Sequence, residues 1–234
     1  MQADTDAVKR IDSTHQASSS DSSSIPDRSG LRFVGCNTEQ MERIKGLTWI
    51  ANEMIDYARL TLADDSKSEL YKTWFGVPDQ PFYDTVVGVF NEIIRADKFT
   101  YDCETCASQY PRSKYDAYIQ LTKFPSRRIY LCETFWNTHP LGIDSQASLV
   151  VRSLVQYTGG NEFPNKHVHR VEARRLANKN PTEAIKSFNN YEYFVETYFT
   201  IGAGTKVFFD NLKEFKINKK TPAGKFEHTV HRVG

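Results

Sequence analysis

The chain has 234 residues, 39% of them hydrophobic and 13% aromatic, and carries a formal net charge of +1. That length holds one large domain with appendages, and that apolar share is enough for a core. A charge so near zero excludes a general electrostatic pull toward nucleic acid or acidic membranes, and with no run of about 18 apolar residues no transmembrane span is expected.

Residues 1–31 read as a disordered tail or a pro-segment remnant. Ser18-Ser-Ser-Asp-Ser-Ser-Ser24 is low-complexity and buries too little surface to order itself. No apolar signal-peptide core follows Met1, which leaves a cytosolic protein or one whose signal has been removed. Lys9-Arg10 reads either as a dibasic processing site or as two solvated charges.

A long helix is expected from Asn37 or Thr38. Asn37 caps it and Gln40 returns the bond. Met41, Ile44, Leu47, Thr48, Ala51, Met54, Ile55, Ala58 and Leu62 recur at three and four, one broad apolar face. A short turn with Tyr71, Trp74 and Phe75 follows, then a second helix opening near Pro81 and burying Val86, Val89, Phe90, Ile93 and Ile94. Three segments, 99–103, 116–122 and 128–132, are short and rich in aromatic or β-branched residues and read as strands. Residues 134–140 read as a loop. Asp144 is expected to cap a central helix running to about Tyr157, apolar nearly all round and ended by Gly159-Gly160. Further helices are expected from 167 to 178 and from Pro181 to 199, the latter with a core stripe of Tyr191, Phe194, Tyr198 and Phe199. The ordered body therefore spans 32–200. Residues 201–234 form an extension, a hairpin or an arm, whose basic stretch Lys213-Glu-Phe-Lys-Ile-Asn-Lys-Lys220 reads as a solvated amphipathic surface rather than a nucleic-acid or lipid contact.

The four cysteines, Cys36, Cys103, Cys106 and Cys132, allow three pairings. A Cys-x-x-Cys pair also suits metal or redox chemistry, but zinc needs two more good ligands nearby and none is evident. Disulfides, and with them a secreted, extracellular protein, are the expectation. No Asn-x-Ser/Thr acceptor is present.

Four words of sequence are more specific than this layout: Tyr71-Lys-Thr-Trp-Phe-Gly76, Ile129-Tyr-Leu-Cys-Glu-Thr-Phe-Trp136, Gly142-Ile-Asp-Ser-Gln-Ala147 and Asn190-Tyr-Glu-Tyr-Phe194. They resemble segments of the secreted fungal aspzincin metalloendopeptidases, the deuterolysin and peptidyl-lysine enzymes, over roughly residues 33–198. The resemblance implies an α+β, zincin-like metalloprotease fold, mainly helical with a small sheet containing an antiparallel pair and stabilised by disulfides. The cysteine spacing also resembles that of the peptidyl-lysine enzyme, and the expected pairing is Cys36–Cys103 and Cys106–Cys132.

The family's chemistry needs His-Glu-x-x-His on the central helix, with a Gly-Thr-x-Asp-x-x-Tyr-Gly loop supplying an Asp ligand and an oxyanion-stabilising Tyr. Here those helix positions are Arg152, Ser153 and Gln156, and the loop aligns Lys166 with the Asp and His169 with the Tyr. Arg keeps its proton, Gln is a weak neutral donor, and Ser is no carboxylate base. No catalytic residue and no zinc are therefore expected, and the binding cleft is expected to comprise Arg152, Gln156, Glu162, Lys166, His167 and His169. Arg152 has two placements. Either its guanidinium fills the zinc space against an acidic partner (Glu162, Glu192 or Glu196), or it turns to solvent over a collapsed pocket.

The resemblance implies a catalytically inactive homologue that acts by binding an unknown protein or peptide, as a secreted effector or toxin-like protein toward a host target. It is expected to be monomeric and to bind no nucleic acid. Two alternatives stand beside it. One is a hydrolase with a rebuilt site, through Ser153 or through His167 and His169 with His139 approaching. The other is an extracellular zinc carrier using His228 and His231 of the tail.

Overall fold

The structure is a computed structural model that describes residues 30–64, 68–109, 115–121, 127–164 and 167–201. Most of the 1–31 tail, Lys166, and the 201–234 extension beyond Ile201, with its two histidines, lie outside the described residues.

Strand β1 (Arg32–Val34) leads into helix α1 (Thr38–Asp64). The expected cap is in place: the Asn37 N–H donates to Gln40 Oε1 at 2.9 Å and the Gln40 N–H to Asn37 Oδ1 at 2.9 Å. Its apolar face, Ile44, Leu47, Ile50, Ala51, Met54, Ile55, Ala58 and Leu62, is fully buried. Thr48 sits within that face because its hydroxyl donates to the Lys45 carbonyl at 2.8 Å. Next come α2 (Glu69–Phe75) and α3 (Gln80–Glu92). The expected turn at Tyr71, Trp74 and Phe75 is thus a short helix, capped by Ser68, whose side chain accepts from the Tyr71 N–H.

A mixed four-stranded sheet follows, with β2 (Thr100–Asp102), β3 (Ala117–Ile119) and β4 (Arg128–Leu131) in the order β1-β2-β4-β3. β1/β2 and β2/β4 run parallel, while β3/β4 is antiparallel. Parallel neighbours need a long crossover, and the three helices α1–α3 provide the one between β1 and β2. β1 was missed in the sequence because three residues are too few to show alternation. Two disulfides, Cys36–Cys103 and Cys106–Cys132, join the strand ends, with Cα separations of 5.0 and 5.1 Å. Cys106 belongs to the short α4 (Thr105–Gln109).

The rest is helical: α5 (Glu133–Asn137), α6 (Gln146–Gly159), α7 (Arg170–Lys179), α8 (Pro181–Ala184) and α9 (Phe188–Ile201). Four boundaries differ from expectation. The 134–140 segment begins as α5, since Phe135 is fully buried and draws the chain into a turn. Ser145, not Asp144, caps α6, in a reciprocal pair with Ser148. α7 starts at Arg170, because His167, Val168 and His169 are held extended by α9. The last helix is two, since the Tyr191 hydroxyl takes up the Ile185 carbonyl at 2.7 Å where the chain breaks.

α6 is the centre of the molecule, with every residue from Gln146 to Gln156 buried. It packs on α1 and α9. Around α9 lies an aromatic layer: Tyr191 meets Phe75 with ring centroids 4.9 Å apart and Phe90 at 5.3 Å, and Phe194 meets Phe75 at 5.5 Å. Such pairs add about 0.5–1.5 kcal/mol each beyond their area burial. Together these helices hold one face of α6 rigidly toward an open pocket.

Candidate functional site

A pocket of about 310 Å³ opens against α6, lined by Asp116, Asp144, Leu149, Arg152, His167, His169, Arg170, Val171, Glu192 and Tyr193. Helix periodicity explains one of its walls. Leu149 and Arg152 are three apart on α6 and share a face, whereas Glu192 and Tyr193, adjacent on α9, reach the space from neighbouring sides of that helix.

α9 builds the third wall by hydrogen bonds. The Val168 N–H donates to Asn189 Oδ1 at 2.8 Å, and the Tyr193 hydroxyl donates to the Val168 carbonyl at 3.0 Å. The histidines on either side of Val168 are thereby turned out together, their rings 4.8 Å apart and nearly perpendicular. The other amide arm of Asn189 donates to Glu192 Oε2 at 2.8 Å and approaches His167 Nδ1 at 3.4 Å.

Arg152 is at the floor. Its side chain is only 9% exposed, with Nη2 3.9 Å from Asp116 Oδ2 and Nη1 4.0 Å from Glu192 Oε2. The guanidinium therefore points inward, which settles its two expected placements in favour of the buried one. Of its three candidate acids only Glu192 is beside it. Glu162 is exposed on the 3-10 turn Gly160–Glu162, and Glu196 is taken by Arg170. Burial pushes the Glu192 carboxyl up to about 7, against the opposing pull of Arg152 and of the Asn189 hydrogen bond. Burial, and then Arg152, press His167 below its ordinary value, so its ring is neutral at pH 7.

A second cluster closes one side. Arg170 donates to Glu196 Oε2 and lies 3.6 Å from Asp144 Oδ1, its Cζ 4.4 Å from the Tyr193 ring centroid. The other Glu196 oxygen accepts the Asp144 N–H at 2.8 Å. Asp144 takes a φ of 50°, a left-handed conformation open to Asp at modest cost.

Of the cleft residues expected from sequence, Arg152, His167 and His169 line this pocket, whereas Gln156 and Glu162 do not and Lys166 lies outside the described residues. Ser153 is buried and its hydroxyl donates to the Leu149 carbonyl of its own helix at 3.0 Å. His139 does not line the pocket either. Sequence reasoning missed Asp116, Asp144, Arg170 and Tyr193. One signal for Arg170 was available: the loop alignment that sets His169 against a tyrosine sets Arg170 against a glycine, and a long cation gained there needs an acid to meet it.

The profile of the lysine-specific metallo-endopeptidase family matches residues 60–196. A peptidyl-Lys metalloendopeptidase of Pleurotus ostreatus is 30% identical over 171 residues, covering 70% of this chain and 95% of that protein. The Armillaria mellea peptidyl-Lys metalloendopeptidase is 28% identical over 169 residues and an extracellular protease of Aeromonas hydrophila 27% over 168. The chain spans about half the length of these two, 46% and 45%. The zinc peptidase from Grifola frondosa shares the fold, with a TM-score of 0.61 at 23% identity over 69% of this chain and 97% of that one. With more than half its length matched by the profile and the same fold around α6, this chain belongs to the lysine-specific metallo-endopeptidase family.

Proposed function

We propose that this chain is a non-catalytic member of that family, acting outside the cell by holding a segment of another protein in the cleft beside α6. The observation that carries the reading is Arg152, a guanidinium nine-tenths buried, at the position where the motif resemblance expects a zinc-binding histidine. A guanidinium has no lone pair to give a metal and keeps its charge at any working pH. It also repels a divalent ion set beside it. The residues present do not fit zinc: Ser153 spends its hydroxyl on its own helix and Gln156 is a neutral oxygen donor. The two disulfides and the extracellular relative support a secreted protein, and an effector or toxin-like role toward a host protein fits that setting.

A second reading, hydrolysis through a rebuilt site, draws on Glu192, a buried carboxyl tuned near neutrality inside a cleft. Both are tested on protein purified without a histidine tag, by elemental analysis for zinc and by casein digestion. The expected result is zinc well below one per chain and no cleavage. One zinc per chain with proteolysis overturns the non-catalytic reading. Metal-free cleavage abolished by Glu192→Gln establishes the second.

A further inference from the structure

The chemistry at the pocket floor narrows what the cleft selects. Among the described residues no hydrogen bond reaches the Arg152 guanidinium; its ion-pair partners, Asp116 Oδ2 and Glu192 Oε2, stand 3.9 and 4.0 Å away. Those separations are too long for direct hydrogen bonds and suit a polar group lying between. The nine-tenths buried guanidinium lines the cavity without a direct hydrogen bond, which leaves its N–H groups for a guest. Half-buried Asp116 offers acceptors to the same space.

Charge excludes two kinds of guest. A lysine or arginine side chain meets the Arg152 charge at the floor. A carboxylate or phosphate meets Asp116 beside Arg152. Arg152 faces Asp116, and Arg170 at the wall is met by Asp144 and Glu196, so the lining charges are paired and the fitting guest is neutral, presenting an acceptor and a donor about one amide apart. The rim suits a peptide carrier. Tyr115, Ile143 and Val171 are 66, 58 and 82% exposed, three of the five large exposed hydrophobics among the described residues. Val171 lines the pocket, and the other two are chain neighbours of the lining residues Asp116 and Asp144.

We propose that the pocket selects a side-chain carboxamide, asparagine or glutamine, its oxygen accepting from Arg152 and its NH2 donating to Asp116. This rests on the reading of the cleft as a peptide-binding surface and adds the specificity to it.

The test is fluorescence polarisation on the full chain, with fluorescein-labelled eight-residue Ala/Ser peptides that differ only at one central residue: Gln, Asn, Glu, Lys or Ala. The Gln or Asn peptide is expected to bind at least tenfold more tightly than the other three. Arg152→Met is expected to level the series to within about threefold. Asp116→Asn, at a half-exposed position that tolerates change, is expected to raise the Glu peptide to within about threefold of the Gln peptide. It keeps the test decisive if the Arg152 variant does not fold. A Lys or Glu peptide binding best, or an amide preference that survives both substitutions, overturns the proposal. Equal binding of all five overturns the selectivity and leaves peptide binding standing, whereas binding of none removes both.

Discussion

Replacing Glu192 by glutamine is the sharpest test of how the site is balanced. The carboxyl is fully enclosed, and burial lifts it from 4.5 to about 7 despite Arg152. In the folded protein its charged form is therefore disfavoured relative to the unfolded chain. The stability tied to its protonated form is complete below about pH 4.5, is lost as the pH rises toward 7, and stays lost above. A shift of this size corresponds to about 3 kcal/mol. Glutamine reproduces the protonated carboxyl: it still accepts from Asn189 and never ionises. At pH 8 the variant is expected to be about 3 kcal/mol more stable than the parent, equivalent to roughly 6–12 °C in Tm for a domain of this size. At pH 5 the two differ by less than about 1 kcal/mol. Urea unfolding followed by tryptophan fluorescence at pH 5, 6.5 and 8 gives the comparison directly. A variant equal to or less stable than the parent at pH 8 refutes the reasoning, because it means that the attraction of Arg152 outweighs the cost of enclosure.

Two further expectations concern the scaffold. Replacing Cys36 and Cys103 together by serine opens a bridge across 67 residues and is expected to cost about 4 kcal/mol, against about 3.5 kcal/mol for the pair Cys106 and Cys132 across 26; equilibrium unfolding of the two double variants checks both the size and the order. Ser145→Ala removes the cap of α6 and strands the Ser148 N–H in a buried place, an expected loss of about 1–2 kcal/mol in the same assay.

The parts of this fold written in local sequence were legible. Asn37 and Gln40 announce α1, and the all-round apolar run from Ala147 to Val155 announces a helix enclosed on every side. The misplaced boundaries were decided at a distance. Asp144 and Ser145 are both good caps, and the choice falls to Ser145 because Glu196, fifty-two residues on, holds the Asp144 N–H. The first turn of α9 is pinned by Asn190, whose side-chain amide bridges the carbonyls of Trp74 at 2.6 Å and Ala173 at 3.0 Å. No periodicity within α9 reveals such a tie. The site follows the same division. Arg152 stood out because the resemblance sets it where the family's motif carries its first histidine. Asp116 was invisible as its partner because the two meet only once β3 is laid beside α6.

The disulfides decide what a single peptide-bond cut does to this chain. Cys36–Cys103 and Cys106–Cys132 enclose two consecutive loops separated by a gap of three peptide bonds, Cys103–Glu104, Glu104–Thr105 and Thr105–Cys106. A single cut anywhere else between Cys36 and Cys132 nicks a ring and leaves the molecule in one covalent piece. The three vulnerable links are also among the best guarded, since the fully buried Asp102 carboxylate accepts from the N–H of Glu104 at 3.2 Å, the N–H of Thr105 at 2.8 Å and the Thr105 hydroxyl at 2.7 Å. A clip within either ring therefore leaves the chain in one covalent piece, and the fragments separate only when the bridges are reduced.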